Sequence, residues 1–138
     1  MMDVSDKKLI DEAKTACENA YAPYSGFAVG AALLTGSGKI YTGANIENVS
    51  YGATVCAERI AVYKAVLCGE RELKAIAVTS NRGEAMPCGI CRQVLYEFNS
   101  EGNMKIYTER EDGKIMCHTL RDLMPCAFTL SPKGMEVR

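Results

Sequence analysis

Apolar and polar positions recur along this chain with two periods, near 3.6 and near 2, and the changes of period mark its elements. After Ser5, a residue type that caps helices through its hydroxyl, Leu9, Ile10, Ala13, Ala16 and Cys17 fall on one stripe and predict a helix to about Asn19. Tyr21-Ala22-Pro23-Tyr24-Ser25-Gly26 interrupts it. Phe27 to Leu34 is an apolar strand, Thr35-Gly36-Ser37-Gly38 a turn, and Lys39 to Ala44 the returning strand of a hairpin. Asn45 to Val55 has no period and reads as an irregular loop.

A second helix is predicted over Cys56 to Cys68, stopped by Gly69. Beyond its first turn Ile60, Ala61, Val62, Tyr63, Ala65, Val66 and Leu67 leave it apolar on nearly every side, so it should be covered on more than one face. Leu73 to Thr79 is the nearly continuous apolar run of a strand buried on both faces. Asn81 to Met86 is a loop, and Pro87 leads into a helix from Cys88 to about Phe98. Met104 to Thr108 and Lys114 to His118 are short strands around Glu111-Asp112-Gly113, and Thr119 caps a last helix over Leu120 to Met124, before Pro125. This order implies an α/β fold with one mixed sheet and helices on both faces.

Composition narrows the field. The 138 residues suit a single domain spanning 1–138. Sixteen Lys and Arg against seventeen Asp and Glu give a net charge of −1 with no basic run, which disfavours a nucleic-acid partner. Seven Tyr, three Phe and no Trp offer little for base-stacking platforms. No apolar run approaches the roughly 20 residues of a membrane span. Met1 to Glu18 mixes charges with apolar residues and has no signal-like core, so a cytoplasmic location is expected.

Seven cysteines fit a disulfide framework badly, being odd in number and unevenly spread. Cys17, Cys68, Cys117 and Cys126 stand singly and read as small core hydrophobes. Cys88 and Cys91 form a C-x-x-C at a helix start, which alone fits a redox dithiol, half of a structural zinc site, or coincidence. The chain's one histidine, His118, is far away in sequence. Cys56, also at a helix start, is the natural third sulfur. Three thiolates without a fourth protein ligand suggest a Zn²⁺ with an open position. Residues two apart on a helix point roughly 200° from each other, so Cys56 must sit at the helix entry while Glu58 reaches back toward it. A carboxylate there can take a proton from a water and deliver it elsewhere. Three thiolates leave the zinc site at a net −1, which two helix N-termini would offset; Arg59 and Arg92, each just after a ligand, are candidates for hydrogen bonds to the sulfurs.

Cys56-Ala57-Glu58-Arg59 with Pro87-Cys88-Gly89-Ile90-Cys91-Arg92-Gln93-Val94 resembles the three-cysteine form of the zinc deaminase signature. Tyr24 to Leu33, Gly43 to Asn48, and Leu123 to Phe128 extend the likeness over nearly the whole chain. Together they resemble the small homotetrameric cytidine deaminases of pyrimidine salvage. The resemblance implies a five-stranded mixed sheet, one zinc per chain on Cys56, Cys88 and Cys91, and Glu58 as the group that moves protons. The implied reaction converts cytidine and deoxycytidine to uridine, deoxyuridine and ammonia. It further implies Asn45 and Glu47 on the ribose hydroxyls, Phe27 packed on the nucleoside, and backbone near Ala57 and Pro87 around the amine. Tyr51 and Phe128 would serve a neighbouring subunit's site in a homotetramer. Departures are mild: Ala44, Met86 and Cys126 differ from the usual residues. A deaminase of another aminopyrimidine nucleoside, a nucleic-acid-editing deaminase and a non-catalytic zinc module stay open as alternatives.

Overall fold

The computed structural model describes residues 4–130, and every element that the two periods predict is present. Helix α1 spans Asp6–Cys17, with the Ser5 hydroxyl accepting from the Lys8 N–H at 3.1 Å. Strands β1 (Val29–Thr35) and β2 (Ile40–Ala44) form the hairpin, followed by α2 (Ala57–Leu67), β3 (Leu73–Ser80) and α3 (Gly89–Glu97). Strands β4 (Lys105–Glu109) and β5 (Ile115–Thr119) close the sheet before the short α4 (Leu120–Leu123). Asn45 to Val55 is less irregular than its sequence suggests. Ile46 exchanges both backbone bonds with Val55 at 3.0 Å, and Tyr51–Ala53 makes a 3₁₀ turn. A single bridging residue is too short to leave a periodic signal.

The sheet has the order β2-β1-β3-β4-β5, parallel between β3 and β4 and antiparallel elsewhere. Alternation along the strands divides the core in two. Leu33, Ile76, Val78 and Ile106 pack with Ala57, Ala61, Val62, Ala65 and Leu95 on the face covered by α2 and α3. Ala32, Ala75 and Ala77 turn to the other face and meet Leu9, Ile10 and Ala13 of α1. Register fixes what shares one sheet end. Val29 pairs Ser80 and Gly30 pairs Ala44, so the segment before β1, the segment after β2 and the connection after β3 emerge together.

Both helix layers come close enough to touch strand backbone. A Cβ at Gly43 would press against the Ala57 carbonyl and lie 2.7 Å from the Ala61 nitrogen, so β2 needs glycine where the first turns of α2 cross it. Gly30 serves α1 likewise, its would-be Cβ falling 2.6 Å from the Cys17 nitrogen.

The lone cysteines correct one expectation. Only Cys17 is even partly buried; Cys68, Cys117 and Cys126 are exposed. Cys68 caps the C-terminus of α2, Cys117 points outward from the edge strand β5, and Cys126 lies beyond the last helix.

Gly43→Ala should therefore lower stability by about 1–3 kcal/mol, the usual cost of overpacking, and also weaken zinc retention, because α2 must lift at its N-terminal end. Gly30→Ala should cost comparable stability with zinc retention intact. Thermal melts with metal analysis check both, and equal zinc loss in the two variants would contradict the assignment.

Candidate metal and catalytic site

Cys56 is the N-cap of α2 and Cys88 the N-cap of α3, while Cys91 lies one turn into α3 and is fully buried. Neither sulfur caps its helix by accepting from a backbone N–H, so both are left for another partner. The three Sγ atoms lie within 4.8 Å of one another, with Cys56 and Cys88 3.9 Å apart. Both helix N-termini place partial positive charge at the cluster, which favours thiolates. Arg59 donates from Nη2 to the Cys56 sulfur at 3.4 Å, and that bond above all holds its guanidinium more firmly protonated.

Hydrogen bonding from the Cys91 thiol pulls Cys56 down to about 5, with Arg59 helping against the effect of burial. Cys91, the donor of that bond and itself desolvated, is pushed far upward. Three sulfurs at this spacing are the donor set of a soft divalent cation, and zinc fits. No further Cys, His, Asp or Glu joins the cluster among the described residues, so a fourth position would be open.

Glu58 stands in the first turn of α2 with only 4% of its surface exposed. Desolvation, with a smaller contribution from the Cys56 charge, raises its carboxyl to about 7. A group balanced there can both take and return a proton near neutrality. Ala57, fully buried beside it, lies with its carbonyl against Gly43.

The other predicted site residues gather at the same sheet end. Tyr21, Ile46 and Val55 lie side by side through backbone bonds, which brings Asn45 and Glu47 next to the entry of α2. Asn45, 8% exposed, accepts from the Val29 N–H and donates to the Phe27 carbonyl, both at 2.8 Å. Glu47 accepts from the Tyr24 and Ser25 N–H groups at 2.9 and 3.1 Å and from the Ser25 hydroxyl. The Ser25 contacts hold its carboxyl below the usual range. Phe27 is half-buried and packs on the core face shared with α2. It lies just outside the β1 ladder, because side chains rather than a neighbouring strand take up the backbone around it.

Three residues depart from this grouping. Arg92 does not serve the sulfurs: its Nε donates to the Pro87 carbonyl and its Nη1 to the Leu123 carbonyl, both at 2.8 Å. Being one residue past Cys91, it points about 100° away around the helix. Tyr51 and Phe128 are 84% and 68% exposed. Gln93 donates to the Phe128 carbonyl at 2.9 Å, so the backbone there is tied to α3 while the ring stands in solvent. A cavity of about 950 Å³ lies elsewhere, at the starts of β3 and β4, and includes none of the thiolates.

Asn81 and Arg82, which the sequence offered only as loop residues, also reach the Phe27 segment. Their partners lie more than fifty residues away in sequence, and no local pattern could reveal them.

Residues 3–108 match the family model described as the cytidine and deoxycytidylate deaminase zinc-binding region. A cytidine deaminase of Sporosarcina psychrophila is 51% identical over 129 residues, 93% of each chain. One from Mycobacterium tuberculosis is 42% identical over 139 residues, covering both chains fully. Among solved structures, the cytidine deaminase from Burkholderia pseudomallei superposes with a TM-score of 0.84 at 44% identity, covering 91% of this chain and all of its own.

Cys91→Ala should lose the zinc of a one-per-chain site and lower the melting temperature, since the metal ties two helix starts together. Arg59→Gln should keep the metal but bind it about 10–100-fold more weakly, as is usual when a group supporting a ligand is removed. Competition with a chelator measures both, and unaltered zinc affinity in Arg59→Gln would exclude that support.

Proposed function

The chain belongs to the cytidine and deoxycytidylate deaminase family, and we propose that it hydrolyses cytidine and deoxycytidine to uridine and deoxyuridine with release of ammonia. The observation that carries this reading is one buried carboxyl, Glu58, in the same helix turn as a thiolate of a three-sulfur cluster. Cys56, Cys88 and Cys91 hold the zinc. When bound, it supplies the Lewis acidity that makes a water nucleophilic at neutral pH.

Glu58 takes the proton that the water loses as its oxygen bonds to C4, and gives a proton to N3. It then moves the remaining hydroxyl proton to the exocyclic amine. The C4–N bond breaks, the amine leaves as ammonia, and the carbonyl of the product forms. Arg59 offsets the negative charge of the sulfurs. Backbone near Ala57 and Pro87 receives the amine and aligns the ring, and Phe27 packs on the nucleoside. Asn45 and Glu47 meet the ribose hydroxyls; in their support, both side chains are already oriented by backbone bonds before any sugar arrives.

The working unit in this reading is a homotetramer of single-domain chains, acting in pyrimidine salvage in the cytoplasm. Tyr63 and Leu67 of α2 support assembly, being large apolar side chains 45% and 88% exposed in one chain. Tyr51 and Phe128 then complete sites across subunit boundaries. Seven free thiols, none paired, accord with a reducing compartment.

Ultraviolet assay of cytidine loss tests the chemistry. Glu58→Gln should retain zinc yet lose at least about 10²–10⁴-fold in kcat, because one residue serves several proton transfers. Activity within about tenfold of wild type would assign the proton transfers elsewhere. Light scattering beside activity across a dilution series tests assembly: rates should fall as the tetramer dissociates, and a fully active monomer would refute the shared sites.

A further inference from the structure

The backbone on either side of Phe27 is held by a residue outside the sites proposed above. Asn81 is the first residue after β3. Its Oδ1 accepts from the Ala28 N–H at 3.0 Å, and its Nδ2 donates to the Gly26 carbonyl at 3.1 Å. Its own N–H donates to the Ala28 carbonyl at 3.1 Å. One side chain therefore brackets Phe27 through both of its neighbours. Arg82 adds a bond from Nη2 to the Ser25 carbonyl at 3.3 Å.

The same connection continues through the buried Ala85 and Pro87 to Cys88. Ser80 stiffens it, donating to the Gly83 carbonyl at 2.6 Å and accepting from the Arg82 N–H at 3.1 Å. Glu84 accepts from the buried Thr108 hydroxyl of β4. A short, internally braced stretch of chain thus grips the aromatic wall at one end and bears a thiolate at the other.

We infer that Asn81 is a positioning residue for nucleoside binding: its amide fixes the backbone around Phe27 and so sets the separation between that ring and the metal-bearing loop. This rests on the reading of Phe27 as the nucleoside's aromatic contact. The amide group matters because it offers an acceptor and a donor in one plane. Aspartate keeps the acceptor for Ala28 and loses the donor to Gly26; alanine loses both. Asn81 is exposed, so truncating it opens no cavity in the core.

The test combines cytidine kinetics, zinc content and amide hydrogen exchange on Asn81→Ala, Asn81→Asp, Phe27→Leu and the Asn81→Ala/Phe27→Leu double variant. Asn81→Ala should raise KM by roughly tenfold, the scale of a lost hydrogen-bond pair, with kcat within about threefold. Zinc content should stay unchanged and exchange at the Ala28 amide should quicken. Asn81→Asp should fall between wild type and Asn81→Ala. In the Phe27→Leu background, Asn81→Ala should shift KM by less than about twofold, because the residue acts through the ring. Additive effects, or unaltered Ala28 exchange, would overturn the inference. If Phe27→Leu raises KM but Asn81→Ala does not, Asn81 alone is dismissed. If Phe27→Leu leaves KM unchanged, the reading of Phe27 falls and the positioning role falls with it.

Discussion

Three sulfurs held within 4.8 Å of one another, next to a buried carboxyl, would crowd like charge into one small volume if all were ionised. In a low-dielectric setting such an arrangement opposes folding unless something positive compensates. Two helix N-termini and the Arg59 guanidinium supply part of that compensation, and a divalent cation held by the sulfurs would supply the rest. The architecture around the cluster follows from the need to bring those two helix starts together. Both α2 and α3 lie on one face of the sheet and begin at one end of it, which no local signal could achieve without the register of β1 against β2 and β3.

The backbone contacts make that convergence stiff. At Gly43 a strand and a helix meet with no side chain between them, so the entry of α2 has little freedom to drift. Glu58 inherits this rigidity from its own helix turn. A carboxyl held on a regular element is located more sharply than one on a loop.

Much of this was legible in the sequence, because much of it is local. The stripe Leu9, Ile10, Ala13 marked the buried face of α1, Ser5 its cap, and the run from Leu73 to Thr79 a central strand. The three-sulfur cluster was legible because Cys56, at a second helix start, adds a third sulfur to a C-x-x-C that alone fits several roles. What escaped notice was made of pairings between distant polar groups. Arg92 looked like a sulfur partner from its place after Cys91, yet helix geometry carries it to two carbonyls. Asn81 looked like any turn residue, because its partners are brought near only by the sheet. The exposed Cys68, Cys117 and Cys126 show the converse: composition ranks cysteine as an interior residue, but helix caps and edge strands set their own exposure.

The side chains meeting at this sheet end have largely surrendered their rotameric freedom before any ligand arrives. Asn45 is locked by two bonds and Glu47 by three, while the backbone beside Phe27 is gripped by two asparagines. The entropy of ordering these groups is borne when the chain folds, so a ligand docking here has little left to immobilise. Such a surface discriminates by shape. A molecule that departs from the fixed contour meets groups that cannot rearrange to accommodate it, and rigidity alone then separates close chemical relatives.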